Sequence, residues 1–276
     1  MRGSSRASLA EAKERLAEVL GADGASRGRV SPDRLGDELF AVAGLLDSEP
    51  GLRRTLSDPA REGRAKAGLA ETLLTGKISA TALSLVTTLV GARWSGPADL
   101  VDATEQLAAL SVIESSDRAG GLDDLEDELF RFGRVVNAEP DLRVALSSPF
   151  APDERKQELV DTLLRGKVTP PALRLITEAA LHPRGRSLDA SLEEFARMAA
   201  ERRERLLAEV HVAIALTAEQ RGRLAAALAD TYGRDVHLNI VVDPQVIGGM
   251  SVRISDELID GSMASRLAGL RRRLAA

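Results

Sequence analysis

The 276-residue chain contains no cysteine, and with it go disulfides, thiolate metal sites and thiol nucleophiles. That absence fits a reducing compartment. Aromatic residues are few: one Trp, one Tyr and five Phe. Cores must therefore be assembled from Leu, Val, Ile and Ala, which suits helix packed on helix. No run of eighteen apolar residues occurs, and residues 1–16 (MRGSSRASLAEAKERL) hold no apolar signal region, so work at a membrane is expected from the aqueous side, without direct insertion. Lys and Arg number 37 against 42 Asp and Glu, a net charge of −5, so no global field draws nucleic acid or anionic lipid. His182, His211 and His237 stand far apart with no H-x-x-x-H pair, which favours structural or surface roles over metal ligation.

What the chain does have is a repeat. DELF occurs at residues 37–40 and again at 127–130, and EPGLRRTLSDP (49–59) returns as EPDLRVALSSP (139–149). LAETLLTGK (69–77) returns as LVDTLLRGK (159–167), and ALSLVT (82–87) as ALRLIT (172–177). Every pair is offset by 90 without a gap, and 22 of the 54 positions from 37 to 90 are identical, which marks a duplicated unit. Within it the spacing is helical. Leu9, Ala12, Leu16, Val19 and Leu20 form one stripe. Leu39, Val42, Ala43 and Leu46 form another, matched by Leu129, Phe132, Val135 and Val136. Pro50 and Pro140 mark helix boundaries, and Gly76 and Gly166 fit positions just past a helix end. Each copy reads as five or six short helices. The stretch 100–113 closes the first copy yet also resembles its opening helix, so one helix, or two abutting ones, serves both copies; DRAGG (117–121) offers a break.

The last seventy residues change period. Val210, Val212, Ile214 and Leu216 alternate, as do Val236, Leu238, Ile240 and Val242, and then Met250, Val252 and Ile254. Between the first two runs, Thr217 and Gln220 have the spacing of a capping box, opening a helix with Leu224, Ala227 and Leu228 inward and Gly233 as its stop. Ser262 caps a final helix with Met263, Leu267, Leu270 and Leu274 in one narrow stripe. The expected order is strand, helix, strand, strand, helix. The fold class is thus mainly α: two tandem homologous bundles (residues 1–113 and 114–204), then a small α+β domain (205–276).

Signals for chemistry fail on context. GASRG (24–28) matches a nucleophile elbow around Ser26, but a helix enters it where a strand is needed. Gly76-Lys77 and Gly166-Lys167 lack the upstream glycine and the following Ser or Thr of a phosphate loop; Glu71 and Asp161 stand where that glycine belongs and would repel phosphate. DDLEDE (123–128) reads as an acidic first helical turn, and Arg271, Arg272 and Arg273 as a solvated helix face. Gly248-Gly249 precedes an alternating run, which favours a tight turn or bulge between strands over an anion cradle. No catalytic residue, cofactor site or metal site is assigned.

Residues 243–274 (DPQVIGGMSVRISDELIDGSMASRLAGLRRRL) closely resemble the C-terminal signature of the delta subunit of bacterial F-type ATP synthase, the counterpart of the mitochondrial oligomycin-sensitivity-conferring protein. The matching positions include Asp243-Pro244, Ile247-Gly248-Gly249, Val252-Arg253-Ile254, Asp256, Ile259-Asp260-Gly261-Ser262 and the helix of Arg266, Leu267, Leu270 and Arg271. Ser255 departs from the glycine usual there. The pattern of DELF, EPxLRxxLSxP and LLxGK resembles the family's N-terminal six-helix bundle, present here twice. The copy beside the C-terminal domain occupies the usual position, and the first is an extension. The resemblance implies a non-catalytic stator subunit without cofactor, one per complex, at the cytoplasmic face of the membrane. It implies a bundle that receives N-terminal helices of alpha subunits and a C-terminal domain that joins the b-type stalk, with Met263, Leu267, Leu270, Arg271 and Leu274 as stalk contacts. Asp243, Pro244, Gly248, Gly249, Asp260, Gly261 and Ser262 form its structural signature. The alternative is a helical-repeat adaptor unrelated to energy conversion.

Overall fold

The computed structural model describes residues 3–21, 31–148, 150–204, 206–214, 216–232, 236–243, 249–254 and 257–260, in two compact units, Met1–Ala200 and Glu201–Ala276. The first unit is helical: α1 (Gly3–Gly21), α2 (Pro32–Ser48), α3 (Pro50–Ser57), α4 (Gly63–Leu74), α5 (Ala80–Gly91), α6 (Pro97–Arg118), α7 (Leu122–Ala138), α8 (Pro140–Ser147), α9 (Asp153–Leu164), α10 (Pro170–Leu181) and α11 (Leu188–Glu204). Each boundary of α2 to α5 recurs in α7 to α10 exactly 90 residues later.

The punctuation repeats for the same reasons. Pro50 and Pro140 occupy first helical positions, where the missing N–H costs nothing. Gly76 and Gly166 take φ of 78° and 76°, the left-handed conformation that closes α4 and α9. Ser79 and Thr169 cap α5 and α10 through their hydroxyls. Each cap is gripped from the DELF motif: the backbone N–H of Ser79 donates to Glu38 at 3.1 Å, and that of Thr169 to Glu128 at 2.9 Å. The glutamate of DELF thus pins one helix start to another, while its leucine, Leu39 or Leu129, lies in the core.

The helix shared by the two copies is α6, one unbroken stretch of 22 residues ended at Ala119-Gly120-Gly121. It packs against α1, α2, α3 and α5 of the first copy and against α7 and α10 of the second. Leu100, Ala103, Leu107, Ala108, Val112 and Ile113 are buried on its several sides, and a single apolar cluster runs from Leu9 to Ala199. A helix buried nearly all round carries little one-sided patterning. Buried hydroxyls bond back to the helix, Thr104 to the Leu100 carbonyl and Ser111 to the Leu107 carbonyl, both at 2.8 Å. Where α2 crosses α6, Gly36 lies so close that a Cβ would stand 2.7 Å from Val112 Cγ2 and 3.2 Å from the Ala108 carbonyl oxygen.

The predicted stripes hold with one exception. Leu39, Val42, Ala43, Leu46, Leu129, Phe132 and Val136 are buried, but Val135 is exposed, because adjacent helical residues point about 100° apart and Val136 takes the inward place.

The second unit contains β1 (Leu206–Val212), α12 (Ala218–Tyr232), β2 (Val236–Val242), β3 (Met250–Ile254) and β4 (Glu257–Asp260). Their sheet order is β2-β1-β3-β4, with β2 parallel to β1 and the other pairs antiparallel. Val210, Val212, Val252 and Ile254 form its buried face with Leu228 of α12, and Thr217 and Gln220 make the expected reciprocal capping bonds at 2.8 and 3.2 Å. Four expectations change. The first strand ends at Val212, leaving Ile214 exposed beyond it. Ala227 is exposed, because Leu228 and the half-buried Leu224 supply the inward face of α12. Glu257–Asp260 adds a fourth strand, formed by pairing with β3. Finally, β2 and β3 are not neighbours but lie on either side of β1, so the strands before and after Gly248-Gly249 are not an adjacent pair.

The Gly36 crossing sets a clear expectation. Gly36→Ala should destabilise the chain by roughly 1–3 kcal/mol in urea unfolding, because Val112 and the α6 backbone must move. Gly68→Ala, with nothing within 4 Å of the added Cβ, should stabilise it by about 0.5–1 kcal/mol.

Candidate partner-binding surfaces

On the second copy, α7, α8 and α9 leave an apolar groove of about 260 Å³. Phe132 and Val135 come from α7, Leu142 from α8, and Leu163 and Leu164 from α9, with Val168 beyond it. Glu128, Arg131 and Lys167 supply its polar atoms. The outward turn of Val135 is what makes the groove apolar on the α7 side. Such a recess, mainly apolar with charged residues among its lining, fits one face of an amphipathic helix.

The second notable constellation is internal. Arg184, in the loop between α10 and α11, is only 3% exposed and has a left-handed backbone, φ 47°. Its Nη1 donates to Glu105 of α6 at 2.6 Å and its Nη2 to Glu178 of α10 at 2.7 Å, both carboxylates being buried. Arg186 also donates to Glu105. Arg174 donates to Glu178 at 3.0 Å and to Asp37 of α2 at 2.6 Å, which carries the network into the first copy. Buried charges persist only when paired in this way, since each alone would be costly to remove from water. Burial pushes the Glu105 carboxyl above its usual range, against the pull of Arg184 and Arg186, and burial likewise raises Asp102. In the first copy the equivalent loop, residues 92–96, instead carries Trp94, which is buried and donates its indole N–H to the Leu89 carbonyl at 2.7 Å.

Sequence reasoning missed this network because its members lie up to 137 residues apart. The one available signal was the departure from the repeat at residues 182–187. The groove was missed too, since its key residue, Val135, was assigned to the core. Of the singled-out signature positions, Asp243 follows β2, where its N–H donates to the Val212 carbonyl at 2.9 Å, and Asp260 ends β4 opposite Ser251. Gly249 has φ 83°. Ser26, Gly233, Pro244, Gly248, Gly261, Ser262, Met263, Leu267, Leu270, Arg271, Arg272, Arg273 and Leu274 lie outside the described residues. Gly76-Lys77 and Gly166-Lys167 are helix ends, with the lysine N–H groups donating to the Leu74 and Leu164 carbonyls. Asp123 and Asp124 do form the acidic first turn of α7. Among the described residues no group of three His, Asp or Glu could hold a metal ion, and no helix is long and apolar enough to cross a membrane.

A duplicated helical scaffold with a recessed apolar groove places the chain among helical-repeat proteins. The family profile described as ATP synthase delta (OSCP) subunit matches residues 104–274, beginning inside α6. ATP synthase subunit delta of Streptomyces avermitilis is 50% identical over 274 residues, covering 99% of this chain and 98% of that one. The subunits delta of Thermobifida fusca and Streptomyces griseus are 46% and 48% identical over 275 residues, covering all of both chains. A chain in the cryo-EM structure of the Toxoplasma gondii mitochondrial ATP synthase hexamer is 20% identical over 61% of this chain and 95% of that one, at a TM-score of 0.27, too low to bear on the fold. The chain belongs to the ATP synthase delta (OSCP) subunit family, and is a non-catalytic component of the peripheral stalk.

Two outcomes follow from the buried charges. Arg184→Met strips one partner from two buried carboxylates and should cost about 3 kcal/mol or more in urea unfolding. A carboxyl raised in the folded chain keeps a proton that the unfolded chain has released, so its contribution lowers stability as pH rises from the usual carboxylate range through the folded value. Asp102→Asn should therefore raise the melting temperature at neutral pH, with the advantage vanishing below the usual carboxylate range.

Proposed function

We propose that this chain clamps the catalytic head of the ATP synthase to its stalk at the cytoplasmic face of the membrane, one copy per complex. The second copy, framed by α6 to α11, receives an N-terminal helix of an alpha subunit in the groove between α7, α8 and α9. The C-terminal unit joins the b-type stalk, with Met263, Leu267, Leu270, Arg271 and Leu274 on the contacting face. The first copy is an added extension, and the division of labour is residues 1–113, 114–204 and 205–276. The observation that carries this reading is the groove itself: an open apolar recess at the place where the family profile lies, on a chain with no site for chemistry of its own assigned.

The helical unit resists drag from the rotor because its two copies share one core, so pull on the grip of the second copy is borne by both. Deleting residues 1–110 would cut into α6, so a chain lacking the first copy must keep Pro97 onward. Even then, removing α2 would uncover the faces of Ala108 and Val112 that Gly36 abuts.

Two variants separate the two grips. Val135→Asp should weaken binding to isolated catalytic heads about tenfold or more while leaving affinity for a b-type stalk peptide unchanged. Leu267→Asp combined with Leu270→Asp should do the reverse, with both melting curves close to the parent's. Equal binding of Val135→Asp and the parent to heads would remove the groove from the reading. Normal stalk binding by the double variant would remove the terminal helix.

A further inference from the structure

The aspartate and phenylalanine of DELF make contacts of a different kind from its glutamate and leucine. In the first copy both meet the same guanidinium. Arg174 donates to Asp37 at 2.6 Å and lies over the Phe40 ring, 4.4 Å from its centroid. Phe40 is 2% exposed there. The pair makes a two-part receptor: a carboxylate accepts from the guanidinium edge while the ring takes its flat face. On the same flank of α2, Gly36 abuts α6. Through Arg174 of α10, the second copy covers Asp37 and Phe40 of the first.

Ninety residues on, the same receptor stands uncovered. Asp127 and Phe130 occupy the equivalent places on α7, and Phe130 is 61% exposed. Among the described residues Asp127 pairs with Arg131 of its own helix, more than half exposed at both ends. An exposed pair of this kind is weak and readily shared. Asp123, one turn earlier, extends the acid along the same stripe at i, i+4 and i+7 with Phe130. The surface is therefore complementary to a helix that presents arginine, as α10 does to the first copy, where Arg174 is braced by Glu178 four residues on. Neither Asp127 nor Phe130 lines the groove, which runs along α7 through Glu128, Arg131, Phe132 and Val135, and Arg131 borders both surfaces.

We propose that Asp127 and Phe130 form a second docking site, which takes an arginine from a helix of the synthase and holds it as Asp37 and Phe40 hold Arg174. The inference rests on the stalk-clamp reading above and adds to it a site outside the groove. It needs a helical partner with arginine at a position facing α7. It does not need a lipid, a nucleic acid or a second copy of this chain.

The test uses the full chain and purified synthase stripped of this subunit, at low and at physiological salt. Phe130→Ala should weaken rebinding about fivefold or more, and Asp127→Asn severalfold with a steeper loss at low salt. Both variants should fold as the parent does, because both side chains are exposed. With p-benzoyl-phenylalanine at position 130, the crosslink should fall within one helical turn of an arginine on an alpha or stalk helix. Replacing that arginine by glutamine should reproduce the Phe130→Ala loss without adding to it. Unchanged rebinding of both variants would overturn the site, as would a crosslink remote from any arginine or onto a second copy of this chain. The clamp reading would survive either result. Failure of the parent chain itself to rebind would overturn the clamp reading, and this site with it.

Discussion

The helical unit depends on one constraint: α6 must satisfy two sets of neighbours at once. An amphipathic helix has a wet face to spare, and α6 has almost none, being enclosed by α1, α2, α3 and α5 from one copy and by α7 and α10 from the other. Small residues make this possible. Ala103, Ala108, Ala109 and Ser111 allow close approach, and Gly36 on α2 removes the last Cβ that would intervene. At 22 residues the helix is about 33 Å long, a strut running through the duplicated structure. Copies joined by a linker would swing; copies that share a core helix move together.

The buried ion network adds direction to this rigidity. Apolar packing tolerates small slips between helices, whereas a guanidinium held by two carboxylates does not. Arg184 fixes α6 against α10, and Arg174 fixes α10 against α2. Such pairs contribute little net stability once desolvation is counted, and their effect is to select one arrangement among several that the apolar core would accept. The left-handed backbone at Arg184, uncommon for a residue with a side chain, places the head of this side chain between its two acids.

Much of the helical unit was legible because duplication gave each signal twice. The prolines at helix starts and the glycines at helix ends follow from local chemistry repeated at a fixed offset, and the shared helix from a stretch that resembles both an opening and a closing helix. What was illegible was set by tertiary contacts. Val135 and Val136 are equally apolar, and only the position of neighbouring helices decides which of them faces in. Phe40 and Phe130 are identical in their motif, yet one is buried and the other exposed, because only the first has a further copy beyond it. The ion network joins residues that no local window contains. In the sheet, Glu257–Asp260 has too few apolar residues to announce a strand, and it becomes one by completing the ladder of β3. The candidate stalk contacts rest on family resemblance, since they fall beyond the described residues.

The sheet order carries one more meaning. The strand β1 is an inner one, with β2 on one side and β3 on the other. Tension along β1 acts across two ladders whose hydrogen bonds run between the strands. Bonds arranged so must slide and break together, while an edge strand peels from its neighbour one bond at a time. The strand β1 is therefore held in shear from both sides, a fastening that resists pull along its length.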